Sequence, residues 1–162
     1  MTITTAPSST LSTACACGRL RRASRALTQL YDDAMAPSGL RITQFSLLRA
    51  LARESPQRMT ALAGATLLDR TALSRTLEPL AERGFVRIVA GSDARTREVE
   101  LTRAGSAAIR KAEPFWKRAQ AEVTKSLGAE RLAALIATLG ELESLHPSPP
   151  NPAPEIGAPA RR

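Results

Sequence analysis

Two short helices in quick succession, followed by a hairpin of strands, constrain this chain more than any other feature of its sequence. A short helix is predicted to end near Thr66, and Asp69 is placed to cap a second helix over residues 70–83. Gly84 is a typical stop for that helix. Apolar residues then predict strands near 85–89 and 99–101, separated by a charged, turn-rich loop. This order is typical of a helix-turn-helix followed by a β-wing.

Longer leucine-rich helices are predicted on both sides of this segment, at about 13–36 and, divided by Gly128, at about 103–145. Thr43, Thr60 and Thr102 are the expected N-caps of the second, third and fifth helices. The winged helix-turn-helix itself would span about 40–102. The predicted fold class is mainly α, a winged helix-turn-helix with a two- to three-stranded β-wing, flanked by N- and C-terminal dimerisation helices. Residues 1–12 and the proline-rich residues 146–162 are predicted to be disordered tails.

The leucines of the terminal helices predict a homodimer, because so many apolar side chains are unusual on a free surface. The second helix of a helix-turn-helix lies in the major groove, and a dimer presents two of them to a two-fold symmetric site. The chain carries a formal charge of +8, and all but three of its 23 basic residues are arginines. Arginine suits guanine edges and narrow minor grooves, but a basic surface would also suit an anionic membrane or an acidic partner. Together with the helix-turn-helix, the charge predicts a double-stranded DNA operator as the partner.

The candidate DNA-binding residues lie on the second helix of this unit and on the wing. They are Arg70, Thr71, Ser74, Arg75, Arg87, Asp93, Arg95 and Arg97. On the wing, Arg95 is predicted to enter the minor groove, and Asp93 to hold its guanidinium by a charge-assisted hydrogen bond. Arg87 is expected to contact phosphate, which positions the protein without reading sequence.

Residues of about 19–145 resemble the MarR family of bacterial regulators. The segments that carry the resemblance are LRITQFSLLRAL (Leu40–Leu51), LLDRTALSRTLEPLAERGFV (Leu67–Val86) and SDARTREVELTRAG (Ser92–Gly105). The resemblance implies a helical dimer with one small winged sheet, joined through its first and last helices. It also implies binding to a palindromic operator, often as a repressor, with Thr71, Ser74 and Arg75 as recognition residues and Arg95 as the wing arginine.

Cys15 and Cys17 are the chemically reactive candidates for a site at which a signal acts. They are too close together in sequence to form a disulfide that stabilises the fold. A position at the start of a helix, with arginines nearby, favours the reactive thiolate form. The chain is similar in part to the branch of the family that senses organic hydroperoxides, where a tyrosine of the partner subunit lies 14 residues after the cysteine. Tyr31 has that spacing from Cys17, but Arg21 stands where the branch has its second tyrosine. The alternatives are a metal-responsive regulator using both thiolates, and free cysteines that are merely small buried residues.

Other classes of function are less well supported. The sequence has no catalytic set of residues and no phosphate-binding loop, so an enzyme is not expected, and neither is a cofactor. An interaction module with this fold would carry acidic or bulky residues in place of Ser74, Arg75 and Arg95. A small-molecule effector remains open beside an oxidant. With no signal peptide or apolar span of about 20 residues, the expected location is the cytoplasm, without membrane contact.

Overall fold

The computed structural model of the chain describes residues 15–91 and 96–146. Within them, the chain forms six α-helices and one small antiparallel sheet, as expected for the predicted fold class. The elements in chain order are α1 (Ala16–Met35), α2 (Ile42–Arg53), β1 (Gln57–Arg58), α3 (Met59–Thr66), α4 (Arg70–Glu82), β2 (Val86–Ala90), β3 (Arg97–Leu101), α5 (Arg103–Leu127) and α6 (Ala129–Glu143). None of the helices described is long and apolar enough to cross a membrane. Of the tails predicted at residues 1–12 and 146–162, all residues except His146 lie outside the described part of the chain.

The first helix begins later than predicted, at Ala16 with Cys15 as its N-cap residue. It passes into a 3-10 turn over Ala36–Ser38, which ends at Gly39 with a φ of 75°. That left-handed conformation suits glycine, and it reverses the chain between α1 and α2.

The prediction that Thr43 caps α2 was wrong, because the helix begins at Ile42 with Arg41 in the N-cap position. The Ile42 amide donates instead to the Asp32 carboxylate of α1, at 2.7 Å. A cap from another helix leaves no trace in the local sequence. It ties α1 to the start of α2 directly.

The prediction that Thr60 caps α3 was also wrong. Arg58 is the N-cap residue, and α3 starts at Met59 as soon as the chain leaves β1. Strand β1 pairs with β3, with Gln57 opposite Val99, while β3 pairs with β2, with Ile88 opposite Val99 on its other side. The sheet order is therefore β1-β3-β2, and the wing has three strands at its base.

Helix α5 begins after Thr102, whose hydroxyl accepts from the Gly105 amide at 3.0 Å, which confirms the predicted cap. Gly128 separates α5 from α6 as expected. The core lies between α1, α2, α3, α4, α5 and the base of the sheet. Its largest fully buried side chains are Met35, Phe45, Leu48, Leu51, Leu62, Leu73, Leu77, Leu80, Val86 and Val99. Helix α6 contributes no buried residue to this core.

Candidate nucleic-acid interface

Helix α4 is held by its apolar stripe and presents its opposite face to solvent. Leu73, Leu77 and Leu80 recur at helical spacing, and each is completely buried. The predicted cap is confirmed, since the Asp69 carboxylate accepts from the Ala72 amide at 2.8 Å. Capping satisfies an amide at the helix start, where orphan donors would otherwise need water. The helix is thus anchored at its start and along one side.

The other side of α4 carries the four helix residues that the sequence singled out. Arg70, Thr71, Ser74 and Arg75 all lie outside the core, at the surface of the helix. Thr71, Ser74 and Arg75 line one groove between α4 and the wing. A helix presenting two short hydroxyl side chains and an arginine to solvent has the shape and the donors that a major groove accepts.

The same groove contains residues that the sequence analysis missed. Its volume is about 490 Å³, and Glu78, Glu82 and Ile88 also line it. Helical spacing alone identifies the two glutamates, because Glu78 follows Ser74 by four residues and Glu82 follows Glu78 by four. Ile88, 40% exposed on β2, could not be found in this way, because its position depends on how the sheet packs against α4.

The wing residues are only partly described. Asp93 and Arg95, the predicted tip residues, lie outside the described part of the chain. Arg97 is exposed at the start of β3, opposite Ala90. Arg87 is also exposed, but its guanidinium is paired with Glu100 at 2.9 Å across β2 and β3. A DNA phosphate that contacts Arg87 would therefore share its guanidinium with the carboxylate of Glu100.

The base of the wing is joined to its surroundings by hydrogen bonds between hydroxyl side chains and the backbone, and by close packing at Gly105. The Leu101 amide donates to the Ser55 hydroxyl at 2.8 Å, which links β3 to the loop after α2. The Thr102 hydroxyl donates to the Gly84 carbonyl at 2.7 Å, next to the end of α4. Gly105 packs so tightly that a Cβ there would collide with the Phe85 carbonyl oxygen and lie 2.7 Å from Leu101 Cδ1. These contacts set the wing relative to α4.

The two cysteines lie at the start of α1, and both are exposed. Within a single chain they are therefore not buried residues of the core. Tyr31 lies 14 residues after Cys17, about 21 Å along the same helix, so the two cannot meet within one protomer. The Tyr31 hydroxyl donates to Gln120 Oε1 of α5 at 2.5 Å. Burial raises the pKa of the Tyr31 phenol, so it remains a neutral donor at neutral pH.

No group of three or more histidine, cysteine or acidic residues suited to a metal is found within residues 15–91 and 96–146. An apolar cavity of about 840 Å³ lies between α1 and α6, and Tyr31 lines it. Other lining residues include Leu20, Leu27, Ile42, Leu135, Leu139 and Leu142.

Comparisons with known proteins agree with this geometry. A family model described as MarR family matches residues 38–96. The crystal structure of the transcriptional regulator MOSR of M. tuberculosis in complex with DNA shares 45% identity, with a TM-score of 0.72 over 81% of this chain and 97% of that one. No curated protein sequence matches the chain.

Two further structures are similar. A mutant of MarR from E. coli, complexed with operator DNA, is 25% identical, with a TM-score of 0.70 over 77% of this chain and 91% of that one. The transcriptional repressor CouR, bound to a 23-mer DNA duplex, is also 25% identical, with a TM-score of 0.75 over 85% of this chain and 98% of that one.

Proposed function

This chain belongs to the MarR family, and we propose that it is a transcriptional regulator that binds a palindromic DNA operator as a homodimer and represses the genes beside it. In this proposal α4 lies in the major groove and the wing follows the adjacent minor groove. The protein works in the cytoplasm and catalyses no reaction. Similar proteins of known structure were crystallised on DNA, among them the M. tuberculosis regulator at 45% identity.

The outer face of α4 is the observation that carries the proposal. Thr71, Ser74 and Arg75 stand at the surface of a helix whose opposite stripe is completely buried. Arginine binds guanine O6 and N7 in a bidentate manner, and hydroxyl side chains donate to or accept from either strand. We assign base contacts to these three residues and to Arg95, and backbone contacts to Arg70, Arg87 and Arg97. Asp93 positions Arg95.

The unburied face of α6 supports the homodimer. Ile136 is 48% exposed and Leu135 37%, although both belong to a leucine-rich helix. Leu27 and Leu30 of α1 are similarly exposed. A second copy of the chain would cover these side chains and bring two α4 helices to one operator. A protomer that left them in water would carry an unusually large apolar surface.

The exposed cysteines favour a thiol signal for release from DNA. Cys15 and Cys17 are both accessible to an oxidant. In a dimer whose first helices run antiparallel, Tyr31 of one subunit could approach Cys17 of the other. A small-molecule effector is the second candidate signal, since the apolar cavity of about 840 Å³ has room for one. Leu27 and Leu135 line this cavity, so an effector there would lie at the proposed dimer interface.

The decisive experiment selects bound sequences from a random pool of duplex DNA with the full-length protein. We expect one enriched motif with two-fold symmetry, whose half-sites are centred about one helical turn, 10–10.5 base pairs, apart. Arg75→Ala and Arg95→Ala should each weaken binding to that motif by about 1–3 kcal/mol. Arg110→Ala, which removes an exposed arginine of α5, serves as the control for charge. A pool without any enriched motif would reject the proposal.

A further inference from the structure

The charge along the outer face of α4 changes sign halfway along the helix. Arg70 and Arg75 occupy its first half, and Glu78 and Glu82 its second. All but Arg70 line the groove beside the wing, together with Thr71, Ser74 and Ile88. The reading surface is therefore not uniformly basic. Its carboxylates stand directly in line with the residues proposed to contact bases.

The carboxylates are not explained by the fold. The ion pairs found within the described residues join Arg87 to Glu100 and Lys117 to Glu113, and neither includes Glu78 or Glu82. At the end of the helix, the charge of Glu82 also opposes the helix dipole. On a surface that faces DNA, a carboxylate repels phosphate and weakens binding to any sequence. Neither an ion pair within the described residues nor affinity for the DNA backbone therefore accounts for Glu78.

A carboxylate can gain a favourable contact on duplex DNA at the amino groups that bases present in the major groove. Cytosine N4 is such a donor, and glutamate or aspartate is its matching acceptor. Glu78 follows Ser74 by four residues and Arg75 by three, so it lies beside both on one helix face. Glu82 is one turn further on, about 6 Å along the axis, and ends the helix.

We propose that Glu78 is a specificity-determining residue whose carboxylate accepts a hydrogen bond from a cytosine amino group in each operator half-site. The inference rests on the proposed function, in which α4 enters the major groove. Arg75 and Glu78 then read neighbouring base pairs with opposite chemistry, since one donates to guanine and the other accepts from cytosine. The same carboxylate lowers affinity for DNA that offers no amino group at that place.

The test compares the DNA motifs selected by the parent protein and by Glu78→Gln, with affinity for the parent's operator and for unrelated duplex DNA. We expect the Glu78→Gln motif to lose its cytosine at one position in each half-site, or to exchange it for adenine, which glutamine recognises. Affinity for the parent's operator should fall by about 5- to 150-fold. Affinity for unrelated DNA should rise, because one repulsive charge is gone.

Two matched variants separate base reading from a general effect of charge. Glu82→Gln and Glu122→Gln, the latter on the exposed side of α5, change the net charge by the same amount. Both should retain the parent's motif.

Glu78→Asp keeps the charge but shortens the side chain by one methylene group. It should lose the cytosine preference without gaining affinity for unrelated DNA, and circular dichroism and thermal melting verify that each variant is folded.

The outcomes distinguish this inference from the proposed function. If Glu78→Gln and Glu78→Asp both select the parent's motif, the inference is wrong, whether or not affinity for all DNA rises. If the parent itself selects no motif, the proposed function fails and the inference fails with it. The parent could also select a motif whose half-sites have no cytosine on the strand that faces α4. That result would overturn the inference but not the proposed function.

Discussion

The Arg83 guanidinium donates to the Gly39 carbonyl oxygen at 2.8 Å, joining the end of α4 to the turn between α1 and α2. The same guanidinium lies 4.5 Å from the centre of the Phe85 ring, at the start of the wing. One exposed side chain at the end of α4 therefore contacts both the α1–α2 turn and the base of the wing. The hydrogen bond joins residues 44 positions apart in sequence and sets α4 relative to α1.

We expect Arg83→Ala to lower the free energy of unfolding by about 1–2 kcal/mol. The loss combines a hydrogen bond from a charged donor with a cation–π contact, both discounted because the side chain is exposed. Urea unfolding followed by circular dichroism measures it. Arg110→Ala removes another exposed arginine and should stay within about 0.5 kcal/mol of the parent. Equal losses for the two variants would contradict the role assigned to Arg83.

Gly105→Ala should destabilise the protein by about 2–3 kcal/mol, because the added methyl group collides with the Phe85 carbonyl and with Leu101. The neighbouring backbone must shift, so DNA binding should weaken as well. Thermal unfolding and operator titration report the two effects. Gly18→Ala is the matched control, since its methyl group would meet only Cys15, at ordinary contact distances. The control should gain up to about 1 kcal/mol from helix propensity. Comparable stability of the two variants would show that the packing at Gly105 is not tight.

Ile136→Asp should produce a monomer, because it places a charge on the apolar face of α6 that the proposed dimer buries. Sedimentation velocity distinguishes the two states, and operator affinity should fall together with the dimer. Ala137→Asp adds the same charge four residues before Glu141, on the polar face of the helix, and should remain dimeric. A dimeric Ile136→Asp variant with parental affinity would argue against α6 as the interface.

Organic peroxide should release the parent protein from its operator, and a small thiol should restore binding, if Cys17 is the sensor. The peroxide would oxidise the exposed thiol of Cys17 to a sulfenic acid. The sulfenic acid can then condense with Cys15 or a small thiol to form a disulfide, with loss of water. Cys17→Ser should remain bound after the same treatment. Gel-shift titration before and after peroxide provides the measurement, with Cys15→Ser as the partner variant. A Cys17→Ser protein that responds to peroxide like the parent would reject the thiol signal and leave the apolar cavity as the place to look for an effector.

Much of the fold was predictable from the sequence because its signals are local. Asp69 and Thr102 cap the helices that they precede, and Gly128 divides the last two as expected. The outward position of Thr71, Ser74 and Arg75 also followed from sequence, since helical periodicity separates them from the buried leucines of α4. These features depend on residues within one or two turns of each other.

The tertiary structure alone decided the features that join distant segments. Asp32 caps α2 from another helix, a two-residue strand at Gln57–Arg58 completes the sheet, and Ile88 faces the groove of α4. No periodicity marks such contacts, because they depend on how packed elements meet and not on local backbone preference. The helix-turn-helix and the outward position of these three side chains of α4 were thus determined by the sequence. The groove in which Glu78 stands beside those residues was decided by the packing of the wing against α4, which only the folded chain brings about.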